Sequence, residues 1–148
     1  MGLMDAFNVS ADGLKAHSQR MDIHSKNIAN IDTPNYVRKI PVLAAQDDMS
    51  FSGVMGSMKD NVFQSGTIPY SSGGVAFEGV VEDPTEGELL YSPGHPDADA
   101  NGYIRTSNVN PLVDIADANM ASRAYEASLA VLGITKAMAQ KATDIGRQ

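Results

Sequence analysis

The chain has no cysteine and no tryptophan, and only four phenylalanines and five tyrosines among its 148 residues. Without cysteine there can be no disulfide scaffold, no thiolate zinc site and no cysteine nucleophile. The sequence also lacks any run of about 18 apolar residues, so no bilayer span is expected. The N-terminal stretch MGLMDAFNVSADG has neither the basic region nor the apolar core of a cleaved secretory signal. Gly2 does not open a myristoylation pattern, because Ala6 stands where Ser or Thr is needed. Basic clusters are missing as well: 18 acidic residues face 11 basic ones for a net charge of −7. Such a chain has no electrostatic hold on a phosphate backbone, and nucleic acid is excluded as a partner. No Walker loop, GxGxxG or GxSxG occurs, so no catalytic residue, cofactor or enzyme activity is expected.

What is present is an aliphatic composition, 43% hydrophobic, suited to a modest core of Leu, Ile, Val, Met and Ala packed helix on helix. The acidity is concentrated in the middle. Residues 1–33 carry a net −1, residues 34–111 a net −6, and residues 112–148 none.

Phe7, Leu14, Met21 and Ile28 recur every seven residues, with Leu3 and Ile31 extending the stripe, and predict a long amphipathic helix from Leu3 to about Ile31. Gly13 costs about 1 kcal/mol relative to Ala in a helix, a cost easier to accept where another backbone packs close. Pro34 ends the helix by forcing its predecessor out of the α region. From Ile115 to Ile145 the same period returns in Ala124, Val131, Met138 and Ile145, flanked by Ala121, Tyr125 and Leu132. Asp114, or Asn110 followed by Pro111, can cap this second helix. Two thin stripes with a seven-residue period predict a coiled-coil-like pair. Small or polar seam residues (Ser10, His17, Ser128, Thr135) leave such a pair little to bury, so further helices from other copies or other proteins are expected to complete it.

The middle region, 34–111, predicts short strands and loops. VRKIPVLAA (37–45), GVAFEGVVE (74–82) and ELLY (88–91) are the strand candidates, with DPTEG (83–87) as a hairpin connection between the last two. Residues 46–73 follow no period and read as a flexible loop. The fold class is therefore α+β, mainly α: terminal helices in 1–33 and 112–148 around a small β-rich middle.

The loop PGHPDADANGYI (93–104) places Asp97, Asp99 and Asn101 at the first, third and fifth positions of a calcium-binding loop, and Gly102 at the sixth. Asn108 stands where the bidentate Glu is needed, and Pro93, Gly94 and Pro96 forbid the entering helix. The competing reading is a tight turn in which Asp and Asn side chains bond their own backbone and Gly takes a positive φ. His95 beside Asp97 has no nucleophile near it in sequence. His17 and His24, about 10.5 Å apart along one helix, are too distant to share an ion and read as seam residues. Asn27 and Asn30 lie where their amides can bond the unpaired carbonyls of the first helix or the chain leaving it, and a buried amide can set register between helices.

SADGLKAHSQRMDIHSKNIANIDTPNY (10–36) resembles the N-terminal signature of the rod and hook family of bacterial flagellar axial proteins, through Ser10, Gly13, Leu14, Ala16, Arg20, Asn27, Ile28, Ala29, Asn30, Thr33 and Tyr36. GVVEDP (79–84) with YSPGHPDADANGYIRTSNVN (91–110) resembles the segment typical of the family's proximal rod members, including Pro93, Gly94, His95, Pro96, Asp97, Asp99, Asn101, Gly102 and Tyr103. Residues 120–146 resemble the closing helix, with Ser122, Arg123, Tyr125 and Glu126 at its start. Ser107 stands where the family has Pro, and Asn35 where it has Gly. The resemblance implies a structural rod subunit, without cofactor or metal, whose terminal helices assemble into a tubular drive shaft. It implies as partners other proximal and distal rod subunits, the rod–ring junction protein, the export apparatus and copies of itself. The implied location is the basal-body rod crossing the periplasm, reached through the flagellar type III system without a cleaved signal; FSGVM (51–55) fits the loose export-gate pattern. A calcium-regulated binding module and a hook or hook-junction protein are the alternatives.

Overall fold

The computed structural model describes residues 3–46 and 73–146; the loop expected over 46–73, with its FSGVM pattern, lies outside the described residues except at its two ends. The order of elements is α1 (Leu3–Ala29), β1 (Lys39–Ala45), β2 (Val75–Glu82), β3 (Leu89–Tyr91), β4 (Tyr103–Arg105) and α2 (Pro111–Ile145). Helix dominates and the strands are confined to the middle, the α+β, mainly α arrangement that the sequence predicts.

α1 stops at Ala29, so Asn30 and Ile31, expected within the helix, stand in the turn beyond it. There the Asn30 and Ile31 N–H groups reach the carbonyls of Asn27 and Ile28 at 3.1 and 3.4 Å, the three-residue spacing of a tightening last turn. The Asn30 amide donates to the Lys26 carbonyl at 2.8 Å and occupies one acceptor that the helix end leaves open. Asn35 then takes φ 60°, the left-handed conformation that a glycine would hold without strain. At the other helix Asn110, not Asp114, is the cap: its side-chain oxygen accepts from the N–H groups of Leu112 (3.1 Å) and Val113 (3.4 Å), and Pro111 occupies the first turn. Such a cap contributes about 1 kcal/mol.

The helices run antiparallel, since Asn27 meets Asp114 at one end while Gly13 meets Ser128 farther along. At 1.5 Å per residue α1 is about 40 Å long and α2 about 52 Å, so the last two turns or so of α2 run past the start of α1. The seam on α2 is formed by Asp114, Ala121, Ser128 and Thr135, with Ala118, Tyr125, Leu132 and Ala139 beside them. It has the expected seven-residue period and holds Ser128 and Thr135, both expected in the seam, but the apolar stripe Val131, Met138 and Ile145 is not part of it. Val131, Met138 and Ile145 are 49%, 60% and 77% exposed, and their row is turned by about 50°, roughly a seventh of the helix circumference, from the row that touches α1. The small and polar row wins the inner position because it admits close approach and carries Asp114 into its bonds. Met120 and Ile134 belong to the outward row and are exposed too. On α1, Leu14, Met21 and Ile28 are half-buried, whereas Leu3 and Phe7 are exposed.

Two hairpins make up the middle. β1 pairs antiparallel with β2, and β3 with β4. DPTEG is therefore not a hairpin turn between β2 and β3, which do not pair. Asn108 instead holds this segment, its amide donating to the carbonyls of Asp83 (3.3 Å) and Thr85 (2.6 Å). Gly87 lies so close to the Thr106 carbonyl oxygen that a Cβ there would fall 1.8 Å from it. In β1–β2, Val42 faces Gly79 and Leu43 faces Phe77, leaving Glu78 as a bulge. This hairpin packs on α1, where Asp12, Lys15, Ala16 and Gln19 line a shallow cleft with Gln46 and Phe77. Among the described residues the buried apolar side chains are Ala16, Ile23, Ile104, Val109 and Ala121, a core too small to hold so extended a pair rigidly.

A Cβ on Gly13 would sit 3.3 Å from the Ser128 hydroxyl, which itself donates to the Ala124 carbonyl. Gly13→Ala should therefore yield little of its roughly 1 kcal/mol of helix propensity in the native background and most of it once Ser128→Ala has cleared the site. Thermal unfolding of the two single variants and the double variant checks this; strictly additive effects would show that the helices do not meet there.

Candidate functional site

At the junction of both helices and the first hairpin lies a buried carboxylate. Asp114 is fully buried one turn inside α2. His24 Nδ1 donates to its Oδ1 at 2.8 Å, the Asn27 amide donates to the same oxygen at 2.9 Å, and Arg38 Nε donates to Oδ2 at 2.8 Å. The donors come from α1, from α1 again and from the strand-ward chain, so one carboxylate ties three segments together. A buried ion left unsatisfied would cost several kcal/mol, which is why charge-assisted bonds surround it. Burial opposes ionisation of Asp114, but the bonds from His24, Asn27 and Arg38 outweigh it and hold the carboxyl below its ordinary value.

Asn27 is the second member. Its oxygen accepts from the Lys39 N–H (3.0 Å) and the Tyr36 hydroxyl (3.1 Å), while its amide also donates to the Lys39 carbonyl (2.7 Å). The side chain thus pairs with the β1 backbone as a neighbouring strand would, and with Asp114 across the helix seam. Burial, then the nearby Asp114 charge, raises the Tyr36 pKa. Arg38 extends the node outward to Asp83 (3.6 Å) and Asp117 (3.7 Å), and Asp117 lies 3.8 Å from Arg20 of α1. Burial works against the Arg38 cation, yet Asp114 and then Asp83 and Asp117 raise its pKa. The Arg38 N–H donates to Asn108 at 2.6 Å, which links the node to the chain entering α2. Two buried ring nitrogens among the described residues, His17 Nδ1 and His24 Nε2, have no hydrogen-bond partner. Burial lowers the His17 pKa, and Arg20 lowers it further.

The acidic loop is built differently. Asp99 accepts from the N–H groups of Asn101 (2.8 Å) and Tyr103 (3.0 Å) through one carboxylate oxygen. Gly102 has φ +78°, with Pro93 and Tyr91 packed where a side chain would go. The His95 ring accepts from the Asp97 N–H at 3.2 Å, and the Asp97 carboxylate is exposed. The loop therefore turns on its own side chains, and Tyr103 leaves it as the first residue of β4. Among the described residues no group of three or more His, Asp or Glu side chains is arranged to hold a metal ion.

Of the residues singled out by sequence, Asn27 is drawn into the node, Asn30 and Ile31 fall in the turn, and the Val131, Met138 and Ile145 row faces outward. Tyr125 and Leu132 line the inner seam. Asp114, His24 and Arg38 escaped notice as a unit. One signal was readable: Asp114 sits seven residues before Ala121 in the row that continues through Ser128 and Thr135, an acid in a seam position.

A family model for the flagella basal body rod protein matches residues 7–36, and one for the flagellar basal body rod FlgEFG protein C-terminal region matches residues 100–145. A flagellar basal-body rod protein FlgC from Bacillus subtilis (strain 168) is 34% identical, covering 99% of this chain and 100% of its own length. FlgC proteins from Yersinia enterocolitica and Salmonella typhimurium are each 31% identical over the same shares. The node residues Asn27, Arg38 and Asp114 all lie within the span shared with these relatives.

Asp114→Asn removes one charge of a buried pair and should destabilise the fold by about 3–5 kcal/mol, read as a lower melting temperature at neutral pH. The pH dependence has a defined sign. A lowered Asp114 pKa gives stability that is present above the ordinary carboxylate range and lost as pH falls through the lowered folded value. A lowered His17 pKa acts at higher pH: the unfolded chain takes up a proton near its ordinary value of 6.5 before the folded chain does, so stability falls as pH drops through that region. His17→Gln should flatten melting temperature against pH in this upper window and leave the acid limb; an unchanged profile would contradict it.

Proposed function

The chain belongs to the FlgC family of flagellar basal-body rod proteins, and on that premise we propose that it is a proximal-rod subunit whose helix pair is completed by its neighbours. It is a structural subunit of the rod in the flagellar basal body, and other rod components are its partners. The observation that carries the finer reading is the outward row of α2. Met120, Val131, Ile134, Met138 and Ile145 lie on one face at helical spacing, all exposed, on a helix whose inner row is already paired. Fully burying one such side chain is worth about 1.5–3 kcal/mol, so covering the row with surfaces of adjacent subunits supplies what the small core lacks. Leu3, Met4 and Phe7 extend the exposed apolar surface at the start of α1. No helix among the described residues is long and apolar enough to cross a membrane.

In this reading the inner node sets the angle between helix pair and hairpins, and the outer rows bind. Torque passes through the assembly because the polar node resists slippage within each subunit: a one-residue shift of α2 would strand Asp114 without its three donors. Proximal and distal rod subunits, the rod–ring junction protein and further copies of the chain are the neighbours that fit, with the subunit arriving through the type III export apparatus. The calcium-regulated module draws less support, because the Asp99 oxygen that would bind an ion is engaged by two backbone N–H groups.

Val131→Glu together with Met138→Glu should leave the circular dichroism of the isolated chain unchanged, since both side chains already face water. In cells the same pair should abolish incorporation into basal bodies and swimming. Normal rods built from the double variant would overturn the assignment of this face to assembly.

A further inference from the structure

The β3–β4 hairpin presents a face that nothing among the described residues covers. Leu89 and Tyr91 alternate to one side of β3, and their cross-strand partners Arg105 and Tyr103 lie on the same side. Leu89 and Tyr91 are each 63% exposed and Tyr103 42%. The two tyrosine rings meet edge to face with centroids 5.2 Å apart, which fixes them as one aromatic surface. Arg105, the cation on this face, is bound by Glu86. Residues 86–105 otherwise carry Glu88, Asp97 and Asp99, so the segment bears a net negative charge. Its complement is an apolar surface with an unpaired cation.

The far end of α2 is such a surface. Ile134, Met138, Lys141 and Ile145 follow one another at four, three and four residues and so form one line on the helix. The three apolar members are exposed, and Lys141 makes no ion pair among the described residues. Residues 127–143 contain two lysines and no acidic residue, in a chain where acids outnumber bases. This end also runs past α1. The hairpin, however, is tied to the opposite end: Asn35 N–H donates to the Arg105 carbonyl just beyond α1, and β4 leads directly into the start of α2. From Asp114 to Met138 the helix advances about 36 Å, so the two surfaces cannot meet within one molecule.

We propose that the Leu89–Tyr91–Tyr103 face of one subunit receives the Met138–Lys141–Ile145 end of α2 from a second copy of the chain. Leu89 packs on the aliphatic side chains, and the Lys141 ammonium lies against the tyrosine rings, beside the carboxylates of the acidic loop. Because the contact joins different patches, it is head-to-tail and does not close on itself as a two-fold dimer does; repeated, it generates an open helical array. The inference rests on the rod-subunit reading and adds to it a specific axial contact between copies.

The absence of native cysteine makes a direct test available. Tyr91→Cys and Met138→Cys chains, each confirmed folded by circular dichroism, are mixed and oxidised, and the same thiols are placed in subunits assembling in cells. The expected product is the mixed Tyr91→Cys/Met138→Cys dimer, exceeding either self-pair and exceeding a Tyr91→Cys mixture with Leu112→Cys, an exposed position at the wrong end of α2. Adding Lys141→Glu should lower that yield by about tenfold, and Lys141→Arg should restore it. A predominance of the Met138→Cys self-pair, equal yields for all pairs, or a Tyr91→Cys cross-link formed in basal bodies with another rod protein instead of this chain would each overturn the proposal. Rod incorporation of the cysteine variants, scored alongside, separates the two readings: incorporation without the mixed cross-link leaves the rod subunit standing and removes only this contact.

Discussion

The ionised carboxylate of Asp114 is the constraint on which the other parts depend. It is buried in the seam of a thin helix pair, and it keeps its charge because α1 and the chain before β1 supply three donors within 2.9 Å. Each donor has its position for that reason. His24 and Asn27 are three residues apart, on one face of α1, and Arg38 reaches back from the turn that Asn35 makes possible. Asn27 then passes the constraint to β1 through the Lys39 backbone, and Asn108 passes it through Arg38 to the segment entering α2.

A polar node in place of a large apolar core has a cost and a use. Breaking a buried ion pair is expensive, yet the intact pair adds little stability beyond what a hydrophobic replacement would. Its use lies in register. Small residues such as Gly13, Ala121 and Ser128 let two helices slide without a large change in packing energy, and a directional set of bonds at one end removes that freedom. The apolar residues displaced from the seam become available on the outer surface, where a subunit of an assembly needs them. The same division separates the two hairpins, since β1–β2 packs on α1 while β3–β4 stands off with Leu89, Tyr91 and Tyr103 in water.

Much of this was legible in order and little of it in orientation. Seven-residue spacing identified both helices, and β-branched runs bounded by Gly and Pro identified three of the four strands. β4 was missed because three residues, Tyr103 to Arg105, are too short for alternation to declare itself, and the pairing of β2 was misassigned because DPTEG has turn composition without forming a hairpin. The loop around Asp99 turns on its own side chains, one of the two readings its sequence allows, because Asx geometry and a glycine with positive φ are local matters. The Asn27 amide was placed rightly at the helix exit. Its link to Asp114 was not, since the two are 87 residues apart.

The sequence by itself determined the helical ends, the strand-forming middle, a cap of α2 at Asn110 or Asp114, and the family to which the chain belongs, because each rests on residues within a few positions of one another. Only the tertiary structure decided which of two parallel rows on α2 turns inward. Both rows have the same period, and periodicity cannot distinguish a row of Ala, Ser, Thr and Asp that pairs from a row of Val, Ile and Met that waits for a partner. That choice is made by contacts between segments distant in the chain: the close approach permitted at Gly13, and the three donors that a buried carboxylate requires.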